Sequence, residues 1–143
     1  HAILRFSALP GASRHHWGSD IDVYDAAAVP EGYAVQLSPA EVSDGGVFGP
    51  LHRWLDARIE AAAAFGFYRP YDRDRGGVAP ERWHLSYAPE AAVSEAAVST
   101  GLLQSALAAL PAGRDLAMAD IVMAELPALV ERYVRAVAPA PQA

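Results

Sequence analysis

The sequence predicts an α+β fold, a small antiparallel sheet flanked by helices and continued by a helical C-terminal extension. Three observations carry this expectation. Ile21 to Tyr24 and Arg82 to Tyr87 alternate apolar and polar residues, the period of a half-buried strand. Between them, the segment after Gly49 repeats apolar residues at helical spacing. From residue 89 onward the pattern is helical almost to the end. With 143 residues, 52% of them apolar, the chain can bury one real core and is too short for two.

Taken in order, the first 48 residues read as loops and short strands. Pro10-Gly11 marks a turn and Gly18 another. Alternation from Ile21 points Asp20, Asp22 and Tyr24 to one face, and Tyr33–Leu37 is a second strand candidate. Ser38-Pro39 and Ser43-Asp44-Gly45-Gly46 are loop signals. A helix is expected after Gly49, with Pro50 in its first turn, where a missing N–H costs nothing. Leu51, Trp54, Leu55, Ile59 and Ala62 form its apolar stripe, and Gly66 is its stop. Phe67-Tyr68-Arg69 reads as a short strand ended by Pro70, and Asp72–Gly77 as a solvated loop. In the stretch Arg82 to Tyr87, Trp83, Leu85 and Tyr87 share one side and His84 and Ser86 the other. Helices are expected near 90–98, 101–110 and 115–136, with Pro111 and Gly113 separating the last two and Pro127 breaking or kinking the final one. The expected organisation is one domain over 1–143: a motif-bearing core (1–88), a helical cover (89–137) and a frayed tail (138–143).

Composition narrows function. The formal charge is −6, which argues against sequence-independent nucleic-acid binding. No apolar run is long enough for a transmembrane segment. Cysteine is absent, so a transition-metal site must use His, Asp and Glu; an oxidising compartment is compatible with this composition. No signal peptide is visible at residue 1, and without an initiator Met, His1 is expected to lie inside a longer gene product.

Two stretches carry chemistry. Ser13-Arg14-His15-His16-Trp17-Gly18-Ser19-Asp20-Ile21-Asp22 offers an imidazole and a carboxylate on either side of a glycine turn. Glu81-Arg82-Trp83-His84 offers a second imidazole with a carboxylate three residues upstream. Two His and one Asp can hold Zn2+ and leave a coordination position open for water, whose proton a nearby Glu can accept. His15, Asp22 and His84 are therefore the expected ligands and Glu81 the expected general base. The odd spacing of Glu81 and His84 would put them on opposite faces of a straight strand, so a bend near Pro80-Glu81 is required.

These residues resemble the VanY-type D-alanyl-D-alanine carboxypeptidases and their dipeptidase relatives, which carry S-x-H-x-x-G-x-A-x-D and, far downstream, E-x-W-H. Ser13, His15, Gly18 and Asp22 match the first motif; Glu81, Trp83 and His84 match the second. Trp54-Leu55, Gly66-Phe67 and Leu85 also look similar, and the resemblance covers roughly residues 5–88. It implies a zinc-dependent peptidase acting on peptidoglycan stem peptides in the periplasm or cell envelope, on the small α+β fold shared with lysostaphin-type and hedgehog-type domains. Departures are Asp20 in place of Ala, Arg82 in place of Pro and Ser86 in place of Arg. The family's upstream S-G-Y-R or S-G-F-R segment, whose Arg binds substrate, has no match here; either it precedes His1 or catalysis in this chain is impaired.

The remaining candidates have plainer readings. Ser13 is a substrate hydrogen-bonding partner or a residue that fixes the turn, and Trp83 a pocket wall or a core aromatic. His16 reads as exposed or supporting, Asp20 as a loop hydrogen-bonding residue ahead of a metal contact or a partner for His16, His52 as solvent-facing, and Trp17 and Trp54 as packing residues. The leading expectation is a D-Ala-D-Ala carboxypeptidase. Alternatives are an L,D-carboxypeptidase or endopeptidase on the same scaffold, and a non-catalytic zinc-stabilised binding module. Oligomeric state has no signature in the sequence.

Overall fold

A computed structural model describes residues 2–110 and 116–141. Its architecture is α+β, as expected. Strands β1 (Asp20–Asp22), β2 (Phe67–Tyr68) and β3 (His84–Tyr87) form one antiparallel sheet in the order β1-β3-β2. The helices are α1 (Pro39–Val42), α2 (Gly49–Glu60), α3 (Ala88–Ala97), α4 (Thr100–Ala108) and α5 (Ala119–Tyr133). Pairing of β1 with β3 sets Asp20 opposite Ser86 and Asp22 opposite His84. That register puts the polar faces of both strands on the same side of the sheet.

The main core lies between the N-terminal segment and the C-terminal helices. Leu9 and Ala12 pack with Leu103 and Leu107 of α4 and with Leu126, Leu129, Val130 and Tyr133 of α5. The cover is thus fastened directly to the residues that precede the first motif. Helix α5 continues through Pro127, so of the expected break or kink the break does not occur. An interior proline costs about 3 kcal/mol, whereas burying Leu126, Leu129 and Val130 contributes roughly 1.5–3 kcal/mol each. Packing wins. The separators Pro111 and Gly113 lie outside the described residues. Among the described residues, no helix is long and apolar enough to cross a membrane.

Two expectations for the middle of the chain fail. Residues 33–37 form no strand. Leu37 takes a left-handed conformation (φ 50°), and the polar groups of the segment turn to Glu41 instead of a neighbouring strand. The Tyr33 hydroxyl (2.8 Å), the Gln36 N–H (2.9 Å) and the Ser38 N–H (2.7 Å) all donate to the Glu41 carboxylate. Helix α2 also departs from its expected face. His52, expected in solvent, is fully buried, while Trp54, expected to pack, is 55% exposed with the Arg58 guanidinium over its ring.

Glu41 yields a prediction. Burial alone would raise its pKa, but the hydrogen bonds from Gln36, Ser38 and Tyr33 outweigh this and bring it down to about 2. A depressed carboxylate contributes stability above its unfolded value, and that contribution is lost as pH falls through its folded value. Between pH 5 and 2 the melting temperature of Glu41→Gln should therefore fall less than that of the parent. Parallel acid profiles would contradict this assignment.

Candidate metal centre

The first motif folds as a tight turn feeding a strand. Arg14–Trp17 form one 3-10 turn, closed by the Gly18 N–H on the His15 carbonyl (3.3 Å). Gly18 has φ 75°, a conformation that side-chain-bearing residues rarely adopt. The chain then enters β1, so His15 on the turn and Asp22 at the strand end approach one another. His84 opens β3 directly opposite Asp22. The bend required before β3 is present: the Glu81 N–H donates to the Tyr71 carbonyl (3.1 Å) and the His84 N–H to the Glu81 carbonyl (3.2 Å). Glu81 thereby sits outside the strand with its side chain on the His84 side.

The resulting geometry gathers His15, Asp22 and His84, with one donor atom from each within 4.8 Å of the others. Asp22 Oδ2 is 3.5 Å from His15 Nε2, and Asp22 Oδ1 is 3.3 Å from His84 Nδ1. Four-coordinate zinc with bonds of about 2.0–2.1 Å separates its donors by about 3.3 Å, so the spacing and the donor set suit this ion. Glu81 Oε2 lies 3.4 Å from the same His84 Nδ1. The rings of His15 and His84 are 4.6 Å apart, and Tyr71 packs edge-on against His84 at 4.9 Å.

Charge around His84 is predominantly negative. Burial alone would lower its pKa, yet hydrogen bonding to Asp20, Asp22 and Glu81 raises it to about 10. Asp22 is held below the usual carboxylate range, chiefly by its hydrogen bond with His84. A cation seated among these donors must displace the imidazolium proton. The carboxylates of Asp20, Asp22 and Glu81 thus make the surroundings of His84 favourable to positive charge.

Beneath the centre lies a buried network centred on Asp20 and Arg14. Asp20, expected as a loop residue, is in β1 with its side chain wholly buried. Its Oδ2 accepts from Arg14 Nε (2.7 Å) and His84 Nε2 (2.9 Å); its Oδ1 accepts from Ser19 Oγ and Ser86 Oγ, both at 2.7 Å. Arg14 also donates to Glu95 Oε1 (2.8 Å), Tyr68 Oη (2.9 Å) and Ser86 Oγ (3.0 Å), and lies 4.3 Å from the centre of the Trp17 ring. Burial would raise the Asp20 pKa, but these hydrogen bonds, His84 foremost, carry it well below the carboxylate range. The signal was available: strand alternation had already put Asp20 beside Asp22 and Ser86 beside His84, and only the register was missing.

Other candidates fall around this centre. His16 is exposed. Ser13 precedes the turn, half-buried, and its side chain makes no capping bond to it. Trp83 is half-buried, accepts the Val23 N–H at its carbonyl (3.0 Å) and lines a cavity of about 380 Å3 with Tyr71, Arg69 and Arg82. Asp56, also lining that cavity, bridges Arg69 and Arg82. His52 lies behind them; burial and the two guanidinium groups push its pKa down to about 4, which leaves it neutral.

A profile of the VanY family, described as D-alanyl-D-alanine carboxypeptidase, matches residues 1–90, which include both motifs. The chain belongs to the VanY family. This is a peptidase family, and the likeness runs beyond the matched span. An uncharacterized protein from Haemophilus influenzae is 31% identical over 128 residues, 88% of this chain and 92% of the relative. Such coverage extends into the C-terminal helices that the VanY profile does not reach. No solved structure gives a significant match.

Proposed function

We propose that this VanY-family chain is a zinc-dependent peptidase hydrolysing peptidoglycan stem peptides, as a D-Ala-D-Ala carboxypeptidase of the cell envelope. The observation that carries this reading is the three-donor cluster of His15, Asp22 and His84 with the Glu81 carboxylate 3.4 Å from one of the donor nitrogens.

Zinc at this position supplies Lewis acidity, polarising an amide carbonyl and lowering the pKa of water to about 7. The protein does the rest. His15 and His84 present neutral nitrogens from opposite sides of Asp22, and the carboxylate offsets part of the metal's charge. Glu81, with its carboxylate 3.4 Å from His84 Nδ1, would accept a proton from the attacking water and return it to the departing amine. Tyr71 excludes solvent from one face of His84. Trp83, on the wall of the cavity that Tyr71 also lines, and Ser13, two residues before His15, are assigned as the substrate-contacting residues, one through an apolar surface and the other through a hydroxyl.

The test is hydrolysis of a stem pentapeptide ending in D-Ala-D-Ala. Release of terminal D-Ala is expected, abolished by a chelator and restored by about one equivalent of zinc, the number that one three-ligand site holds. Cleavage that survives complete removal of metal would refute the mechanism. Cleavage confined to peptides ending in L-Lys-D-Ala would assign the L,D specificity instead. Stoichiometric zinc with no cleavage of any stem peptide would identify a binding module.

A further inference from the structure

We propose that Asp20 is a positioning residue that fixes both imidazoles of the centre, His84 through its carboxylate and His15 through its backbone carbonyl. The inference rests on the metal-centre reading above and goes beyond it, because Asp20 occupies a position where the family motif has alanine.

A neutral imidazole carries one N–H, and the nitrogen bearing it cannot ligate a metal. Which nitrogen is free is decided by the partner of the other. Asp20 Oδ2, 2.9 Å from His84 Nε2, can only accept, so it keeps the proton on Nε2 and frees Nδ1, the atom that faces Asp22 and Glu81. The Asp20 carbonyl, 3.1 Å from His15 Nδ1, also only accepts, so it keeps the proton on Nδ1 and frees Nε2, the atom that faces Asp22. One residue thus imposes opposite tautomers on two histidines. Their free nitrogens converge because of it.

The carboxylate is itself held still. Its two oxygens accept from Arg14, Ser19, Ser86 and His84, which fills the lone-pair directions of a buried ionised aspartate. Arg14 is anchored in turn by Glu95 of α3 and Tyr68 of β2. The orientation of His84 is therefore referred to the sheet and to α3 rather than to solvent.

The experiment measures zinc affinity by competition with a chromophoric chelator, together with histidine tautomers by 15N NMR of the zinc-loaded protein. Wild type should bind zinc through His84 Nδ1 and His15 Nε2. Asp20→Ala should weaken zinc by about 10–100-fold, the usual cost of losing a ligand's hydrogen-bond partner. His15 should keep its tautomer, since its partner is main chain. Asp20→Asn should recover most of the loss, because its oxygen can still accept from His84 while its amide faces two hydroxyls able to accept.

Asp20→Ala alone also removes the fully buried partner of Arg14 and so costs folding stability. The double variant Arg14→Met/Asp20→Ala removes both charges, a replacement that is often neutral for stability. It should bind zinc as weakly as Asp20→Ala, because the carboxylate that holds His84 is missing from both. Wild-type zinc affinity in the folded double variant would overturn the role of Asp20 and leave the metal centre standing. Ligation of wild-type zinc through His84 Nε2 would do the same. A wild-type protein that binds no zinc would overturn both.

Discussion

His84→Ala is expected to leave a protein with no tightly held zinc and no measurable hydrolysis. Of the three donors, His84 is the buried one: its side chain is 3% exposed, against 43% for His15 and 30% for Asp22. Removing it leaves two donors open to water. Loss of a ligand's outer hydrogen-bond partner already weakens metal binding by about 10–100-fold, so loss of the ligand must weaken it further. The metal-free protein should suffer too. His84 is held there as a cation among Asp20, Asp22 and Glu81, and the variant leaves those carboxylates facing one another. Arg14 still neutralises Asp20, so the loss should stay below the roughly 3–5 kcal/mol seen when a buried pair is broken outright. Calorimetric zinc titration and thermal melting of the metal-free form read the two effects separately. Retention of stoichiometric, tightly bound zinc would remove His84 from the ligand set.

Glu81→Gln should behave differently. Its carboxylate faces the centre without belonging to the three-donor cluster, so zinc affinity should change little while kcat/KM falls by about 10²–10⁴-fold, the usual contribution of a general base. Glutamine preserves shape and hydrogen bonding but cannot take a proton. The loss should appear in kcat rather than in KM, since proton transfer belongs to the transition state. Turnover equal to that of the parent would show that another group activates water, and the mechanism proposed above would be wrong.

Much of this was legible in the sequence because the site is built from local devices. The Gly18 turn, the alternation of β1 and β3 and the bend at Glu81 each follow from a few neighbouring residues, and the family motif joins them. What escaped depended on contacts between distant segments. Asp20 looked like a loop residue because its partners, His84 and Ser86, are supplied by β3 and could not be assigned before the strand register was known. His52 looked solvent-facing because the Arg69 and Arg82 guanidinium groups that crowd it come from two other segments. Tyr33–Leu37 carries a strand pattern, but its Tyr33 hydroxyl and Gln36 N–H are taken up by the Glu41 carboxylate. Pro127 was overruled by a core that only tertiary packing creates.

The loop leading from β2 to Glu81 has its outer moorings at the far end of the chain. Arg132 Nε holds the Gly76 carbonyl (2.6 Å), the Ala138 N–H holds the Pro70 carbonyl (2.7 Å), and Gly77 lies so close that a Cβ there would fall 2.0 Å from the Arg132 carbonyl oxygen. Tyr71, within that moored stretch, supplies the carbonyl that receives the Glu81 N–H. Trimming the protein back to the 90 residues matched by the family would keep every proposed zinc donor and Glu81 in the sequence, yet remove these moorings together with the α4 and α5 side of the core. On the proposed mechanism, a lesion as small as loss of the Arg132 contact to Gly76 would surface in the placement of Glu81 before it surfaced in metal binding.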